Sequence, residues 1–283
     1  MSARSSTRIE SLRAVAGAGL GLVVALSWSL GGCSKHAPPA AGEPVKVAAA
    51  ADLSFAFKEL GAAYQEKTGH AVVFSFGSTG LLEKQIAEGA PFDVFAAANV
   101  SYADNAVQAG VCEADSKALY ATGRIVLYTA PGAAFTPKSV ADLADPRVKR
   151  IAIANPDHAP YGNAARQAME RAGVWGRVHD RVVYGENVQQ ALQFAQSGNA
   201  DAAIVALSLA MATPGNTAEI PQDLHDRIDQ AMVACSGGKA GATAGRAFIA
   251  FVQSKEGRAV MRRFGFLLPG ESLAKGPGRD ERQ

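Results

Sequence analysis

The sequence predicts an α/β protein built as two lobes, each a mainly parallel sheet flanked by helices, and three observations predict it. Short apolar runs alternate with stretches whose apolar residues recur at helical spacing, the pattern of strand–helix–strand units. Several of those runs are apolar throughout, as strands covered by helices on both faces require. The chain is also long enough, at 283 residues with 48% hydrophobic content, to bury one large or two medium cores.

At the N-terminus Arg4, Arg8 and Arg13 precede an acid-free apolar run over 14–30 that ends in Leu30-Gly31-Gly32-Cys33. Small residues before a Cys resemble a bacterial lipobox. Residues 1–32 therefore read as a lipoprotein signal peptide, with cleavage before Cys33 leaving its thiol and new amino group to carry lipid. Residues 33–44, rich in Ala and Pro, read as a tether. An uncleaved membrane anchor is the competing reading, since the run approaches the roughly 20 residues of a spanning helix. Either reading puts the folded part outside the cytoplasm, in the periplasm or cell envelope.

The folded part begins with a strand at 45–51 that ends at Asp52, followed by a helix on Leu53, Ala56, Phe57, Leu60 and Tyr64 that Gly69 stops. A second strand, 71–76, breaks at Gly77 and restarts as a helix with Leu82 and Ile86 on one face, ended by Gly89-Ala90-Pro91. A third strand at 94–97 leads into a helix through Tyr102, Ala106 and Val107. After a break at Gly123, residues 125–128 open a second unit. In it, 151–154 is a strand, 155–162 a loop, and Ala165, Ala168, Met169 and Ala172 line a helix closed by Gly173. A short strand at 182–184 precedes Gly185-Glu186-Asn187 and a helix on Val188, Ala191, Leu192 and Ala195; 202–205 is a buried strand. Residues 232–235 read as a strand returning to the first unit, and two helices finish the fold. Lobe I is thus 45–123 with 232–270, lobe II is 124–231, and 271–283, rich in Gly and charge, is a disordered tail.

Four strand-to-helix junctions carry polar or tight-turn residues: Ala51-Asp52, Ser78-Thr79, Pro160-Tyr161-Gly162 and Glu186-Asn187-Val188. In sheets of this kind such junctions lie at the carboxyl ends of the strands, where ligands bind. The first turn of a helix offers backbone N–H groups without intrahelical partners and a partial positive charge, so two junctions from each unit could close on one small anion. The plainer reading of Ser78 or Thr79 is a helix cap. The formal net charge of +2 and the absence of a basic patch with interleaved aromatics argue against a nucleic-acid partner. Phe76 stands where a nucleophile elbow around Ser78 needs glycine, and Gly237-Gly238-Lys239 continues with Ala240 and is no phosphate-binding loop. His36, His70, His158, His179 and His225 have no metal-pair spacing; His158, in the loop 155–162, is a candidate base, but with no nucleophile to pair with in the sequence it reads as a loop residue or one that supports the site from behind. Cys112 and Cys235 are free to form a disulfide in an oxidising compartment and lie near the expected crossings between lobes.

Residues 45–269 resemble the bacterial periplasmic molybdate-binding proteins (ModA), the substrate-binding components of molybdate ABC importers. The residues that carry the resemblance are Ala48-Ala49-Ala50-Ala51-Asp52-Leu53, Ser75-Phe76-Gly77-Ser78-Thr79-Gly80, Gln85-Ile86 with Gly89-Ala90-Pro91-Phe92-Asp93-Val94-Phe95, Asn155-Pro156 through Ala159-Pro160-Tyr161-Gly162, Glu186-Asn187-Val188 and Arg263-Phe264-Gly265-Phe266. The resemblance implies a type II periplasmic-binding fold and a molybdate or tungstate dianion held between the lobes by neutral hydroxyls and backbone amides. It places ligand contacts at Ala51, Asp52, Ser78, Thr79, Tyr161 and Val188, acting on the oxygens of the anion with no direct metal ligands. Many relatives have Ser in place of Asp52. Its carboxylate would repel a dianion, so Asp52 is expected to present its N–H while its side chain caps the following helix, a protonated Asp52 being the alternative. Ala206 stands where some relatives supply a Tyr, and Tyr161 is expected to provide that hydroxyl.

The expected function is therefore extracytoplasmic capture of molybdate or tungstate and delivery to the membrane permease of an ABC importer. The protein is expected to be a monomer without cofactor and not an enzyme. A pocket of donors alone suits a fully deprotonated oxyanion and penalises phosphate, whose hydroxyl would face another donor. The rivals are a receptor for sulfate or phosphate and a secreted hydrolase using Ser78.

Overall fold

The computed structural model describes residues 42–271, and these form two five-stranded sheets with helices packed on them. The signal peptide, Cys33, most of the tether and all but the first residue of the expected tail lie outside the described residues.

The first sheet takes strands β1 (Val45–Ala50), β2 (Val72–Gly77), β3 (Val94–Ala97), β4 (Ala118–Gly123) and β10 (Ile228–Ala234), in the order β2-β1-β3-β10-β4. The second takes β5 (Ile125–Thr129), β6 (Ile151–Ala154), β7 (Val182–Gly185), β8 (Ala202–Ala206) and β9 (Asn216–Glu219), in the order β7-β6-β8-β5-β9. The helices are α1 (Ser54–Thr68), α2 (Thr79–Ala87), α3 (Val100–Gln108), α4 (Pro160–Arg171), α5 (Trp175–Val178), α6 (Val188–Gln196), α7 (Leu207–Ala210), α8 (Gly241–Gln253) and α9 (Lys255–Arg263). A 3₁₀ turn, Ala51–Leu53, joins β1 to α1.

Each sheet is mixed where mainly parallel sheets are expected. β1 runs parallel to β2 and β3, but β10 is antiparallel to β3 and β4. Likewise β6 is parallel to β7 and β8, while β5 is antiparallel to β8 and β9. The antiparallel strands arise because the chain crosses between sheets twice. β4 ends at Gly123, β5 starts at Ile125, and β10 returns with Ile228 paired to Gly123, so the crossings lie side by side. β10 starts at Ile228 and not at 232; Asp229 and Gln230 near its start break the apolar run by which a strand is read.

Burial explains the rest. β1, β3, β6 and β8 are covered on both faces and hold small residues, mostly Ala, that let helices approach closely. β2, at the sheet edge, alternates instead and leaves Val73 half exposed. Gly69 adopts φ +76° and ends α1 by donating its N–H to the Gln65 carbonyl. Under α1 and α8 the rings of Phe57, Tyr64, Phe74 and Phe248 meet edge-on or tilted at 5.4–6.0 Å.

Cys112 and Cys235 are joined by a disulfide, with Cα atoms 3.9 Å apart. The bridge does not lie near a lobe crossing. Cys235 follows the last residue of β10 and donates its N–H to Asp93 just before β3, so the bridge sits at the end of the first sheet opposite the carboxyl ends of β1 and β3.

Candidate functional site

The three parallel strands of each sheet all run into helices at one end, and these ends face each other. A single small cavity there is lined by Ala50, Ala51 and Asp52 at the end of β1, Gly77, Ser78 and Thr79 at the end of β2, and Ala98 after β3. The other sheet adds Ala159, Pro160 and Tyr161 after β6, with Asn187 and Val188 after β7. All six residues expected to contact a ligand thus line one cavity between the sheets. Its volume is only about 10 Å³. Entry and exit of a four-oxygen anion therefore require the two sheets to part.

The backbone explains why donors converge. Thr79 and Val188 are the first residues of α2 and α6, where an N–H has no intrahelical acceptor. In α6 the Asn187 side chain accepts from Gln189 and Gln190, leaving the amide of Val188 uncapped. Tyr161 sits in the first turn of α4, which starts at Pro160, inside the stretch expected to be a loop. Pro at the first helical position is the sequence signal for that start. The Thr79 hydroxyl oxygen accepts from the N–H of Ala98 at 3.2 Å, which leaves its proton for another acceptor. No Lys, Arg or His lines the cavity, so any anion there is held by neutral groups.

Ser78 plays a different part from Thr79. Its hydroxyl oxygen lies 2.7 Å from the carbonyl oxygen and 2.8 Å from Nδ1 of His158, which follows β6 in the other sheet. The carbonyl can only accept, so the serine proton goes there and Nδ1–H donates to Oγ. The N–H of Gly80 donates to the same carbonyl at 2.9 Å. A Cβ at position 80 would stand 2.9 Å from that oxygen, so glycine is what permits the approach. His158 is thus a latch between the sheets, supporting the site and supplying no base.

Asp52 departs from expectation. Its carboxylate does not cap a helix; it is buried, 1% exposed, at the centre of a polar cluster. Oδ2 accepts from Tyr161 Oη at 2.9 Å and from Gln230 Nε2 at 2.8 Å, and Gln230 Nε2 also lies 3.0 Å from Tyr161 Oη. Tyr120 Oη donates to Gln230 Oε1 at 2.7 Å and so fixes the amide orientation. The Asp52 carbonyl accepts at 2.8 Å from Ser208 Oγ on α7, the helix that follows β8 of the other sheet. Oδ1 is buried without a partner. Burial pushes the Asp52 carboxyl up to about 6, against the opposing pull of the Gln230 and Tyr161 hydrogen bonds. Burial and the neighbouring Asp52 charge push the Tyr120 and Tyr161 hydroxyls well above the usual tyrosine range, so both stay neutral. The Tyr161 proton is accordingly spent on Asp52 and not aimed at the cavity. A Cβ at Gly123 would stand 2.0 Å from Tyr161 Oη, so a glycine at the crossing is required.

Asp52 thus puts a carboxyl residue in the lining of the cavity, and a carboxylate oxygen reaching the anion would accept from a hydroxyl of phosphate. Gln230, Tyr120 and Ser208 escape a reading of the sequence. Only Gln230 leaves a trace, as an uncharged polar residue in an otherwise apolar strand segment.

Among the described residues, no group of three or more His, Cys, Asp or Glu side chains could hold a metal ion, and no helix is long and apolar enough to cross a membrane.

Comparison with known proteins agrees with this geometry. The sequence pattern of the bacterial extracellular solute-binding proteins matches residues 45–267. The molybdate-binding protein ModA of Rhodobacter capsulatus is 37% identical over 231 residues, spanning 81% of this chain and 90% of that protein. ModA of Azotobacter vinelandii is 34% identical over 250 residues, 87% of this chain and 96% of that protein. The structure of the Azotobacter vinelandii periplasmic molybdate-binding protein superposes with a TM-score of 0.73 at 31% identity, covering 80% of this chain and 99% of that one. The chain belongs to the bacterial extracellular solute-binding proteins and, within them, to the ModA family.

Proposed function

We propose that this protein captures molybdate or tungstate outside the cytoplasm, between its two lobes, and delivers it to the permease of an ABC importer. The observation that carries the reading is the convergence of four strand-to-helix junctions, two from each sheet, on one cavity without a cationic side chain. The kinship with ModA proteins supports molybdate as the anion. In this reading Thr79 donates its hydroxyl, the first-turn amides around Ala51, Asp52, Thr79 and Val188 supply the remaining donors, and Ser78 with His158 holds the lobes together around the anion. Each group acts on oxygens, so the metal itself has no protein ligand. The protein works as a monomer, anchored by lipid on Cys33, and the lobes part to release the anion to the permease.

The hydrolase reading has the Ser78–His158 contact in its favour, but the direction of that contact argues against it. A nucleophile gives its proton to the imidazole, whereas Ser78 gives its proton to a carbonyl. No carboxylate among the described residues meets His158 to orient it. Calorimetric titration of the mature protein with molybdate, tungstate, sulfate and phosphate tests the function. Saturable binding of molybdate and tungstate is expected, and binding of sulfate or phosphate in their place would reassign the receptor. Ester cleavage that Ser78→Ala abolishes, with no oxyanion bound, would make it a hydrolase.

A further inference from the structure

We propose that Asp52 shares one proton with the bound oxyanion, so that capture of an anion carrying no proton of its own draws one proton from solvent into the cleft. The inference rests on the oxyanion-binding reading above and deepens it. Asp52 lines the cavity and is 1% exposed. One carboxyl oxygen, Oδ2, is held by Tyr161 and Gln230, and the other, Oδ1, is buried with no partner at all. With Oδ2 taken, Oδ1 is the oxygen left to meet whatever enters. An acceptor facing an acceptor repels, and a carboxylate facing a dianion in a buried site repels strongly. One proton on Oδ1 turns that repulsion into a charge-assisted hydrogen bond to the anion.

The surroundings make the proton easy to take up. From α4 Asp52 faces Tyr161, from β4 Tyr120 and from β10 Gln230, none of them a cation. The turn that carries Asp52 packs against α1, α6, α7 and β2. α6, α7 and β2 contain no ionisable residue; Tyr64 of α1 is buried with its ring against Phe248 and Phe251, and the charged residues of α1, Lys58, Glu59, Glu66 and Lys67, are all exposed. Nothing cationic therefore holds the carboxylate ionised, and burial already places its titration near neutrality at about 6. Binding moves the proton from water to Oδ1; no covalent bond changes otherwise.

Calorimetry with sodium molybdate on the mature protein, in two buffers of different protonation heat, counts the protons. At pH 8 the wild type is expected to take up about one proton per molybdate, and Asp52→Asn none. Between pH 6 and 8 the wild-type Kd should rise about fiftyfold, following the loss of the protonated form, while that of Asp52→Asn stays flat. Molybdate binding without proton uptake in the wild type, or uptake that persists in Asp52→Asn, overturns the inference and leaves the binding reading intact. No heat with molybdate at either pH overturns both. Should Asp52→Asn fail to fold, the carboxyl ¹³C resonance of Asp52 in the wild type at pH 8 decides: a shift to the neutral-acid position on adding molybdate upholds the inference, and a carboxylate position overturns it.

Discussion

The two sheets share one plan, three parallel strands followed by two antiparallel ones, yet they furnish their facing ends differently. The first sheet brings side-chain chemistry: a buried carboxylate at Asp52 and hydroxyls at Ser78 and Thr79. The second brings the Tyr161 hydroxyl, the His158 carbonyl and imidazole, and an Asn187-capped helix start. Two of these polar groups of the first sheet are partnered from the second, Ser78 by His158 and Asp52 by Tyr161 and Ser208. A site divided in this way is assembled only when the lobes meet, which is how ligand binding and closure come to be one event.

The largest expected difference between the lobes is in stability. The disulfide ties together elements of the first sheet only, closing a sequence separation of 123 residues. Cys112→Ser with Cys235→Ser should cost about 2–4 kcal/mol in denaturant unfolding. Equal stability of wild type and double mutant under oxidising conditions would show that the bridge does not form. Thiol counting on the denatured, unreduced protein should accordingly find neither cysteine free.

The second effect separates the acid of the first sheet from everything in the second. The Asp52 carboxyl is raised in the folded state from 3.8 to about 6. Its neutral form is the one that folding favours, so its contribution is fully present below about pH 3.8 and lost as pH rises through about 6, a loss on the order of 3 kcal/mol. With the lobes closed as in this structure, Asp52→Asn should escape that loss and gain up to about 3 kcal/mol on the wild type at pH 8, with a much smaller gain at pH 4. Parallel pH profiles for the two proteins would remove Asp52 as the cause.

Hydroxyl deletions sharpen the contrast between neighbours. Thr79 has a proton to give the anion, so Thr79→Val should weaken molybdate binding by about 1.5–3 kcal/mol, tenfold to a hundredfold in Kd. Tyr161→Phe should fall at the lower end of that range, since the hydroxyl acts through Asp52, and should also shift the pH dependence of binding. Ser78→Ala removes only a latch of neutral hydrogen bonds and should cost about 0.5–1.5 kcal/mol. A Ser78→Ala effect larger than that of Thr79→Val would exchange the two roles.

How much of this was legible depends on the distance over which a residue finds its partners. Strands buried on both faces, such as β1 and β8, announce themselves as apolar runs, and junction residues such as Ser78 and Val188 follow from where those runs stop. β4 and β9 did not, because β4 mixes half-exposed Leu119 with Tyr120 and Thr122, and β9 is a polar edge of four residues. The environment of Asp52 was hidden for a different reason. Its acceptor oxygen is held by Gln230, 178 positions away, and by Tyr161, 109 positions away, and no local pattern encodes either pairing. Helix capping was the sensible local reading of an Asp at a helix start; the tertiary fold offered stronger donors.

The central claim is that both lobes hold one anion. Crystals grown with tungstate test it most directly, through the anomalous signal of the metal. One peak is predicted in the cavity between the sheets, with anion oxygens about 2.7–3.1 Å from donors at Thr79 of the first lobe and Val188 of the second. A peak bonded to one lobe alone, or found only on the outer surface, would contradict the account.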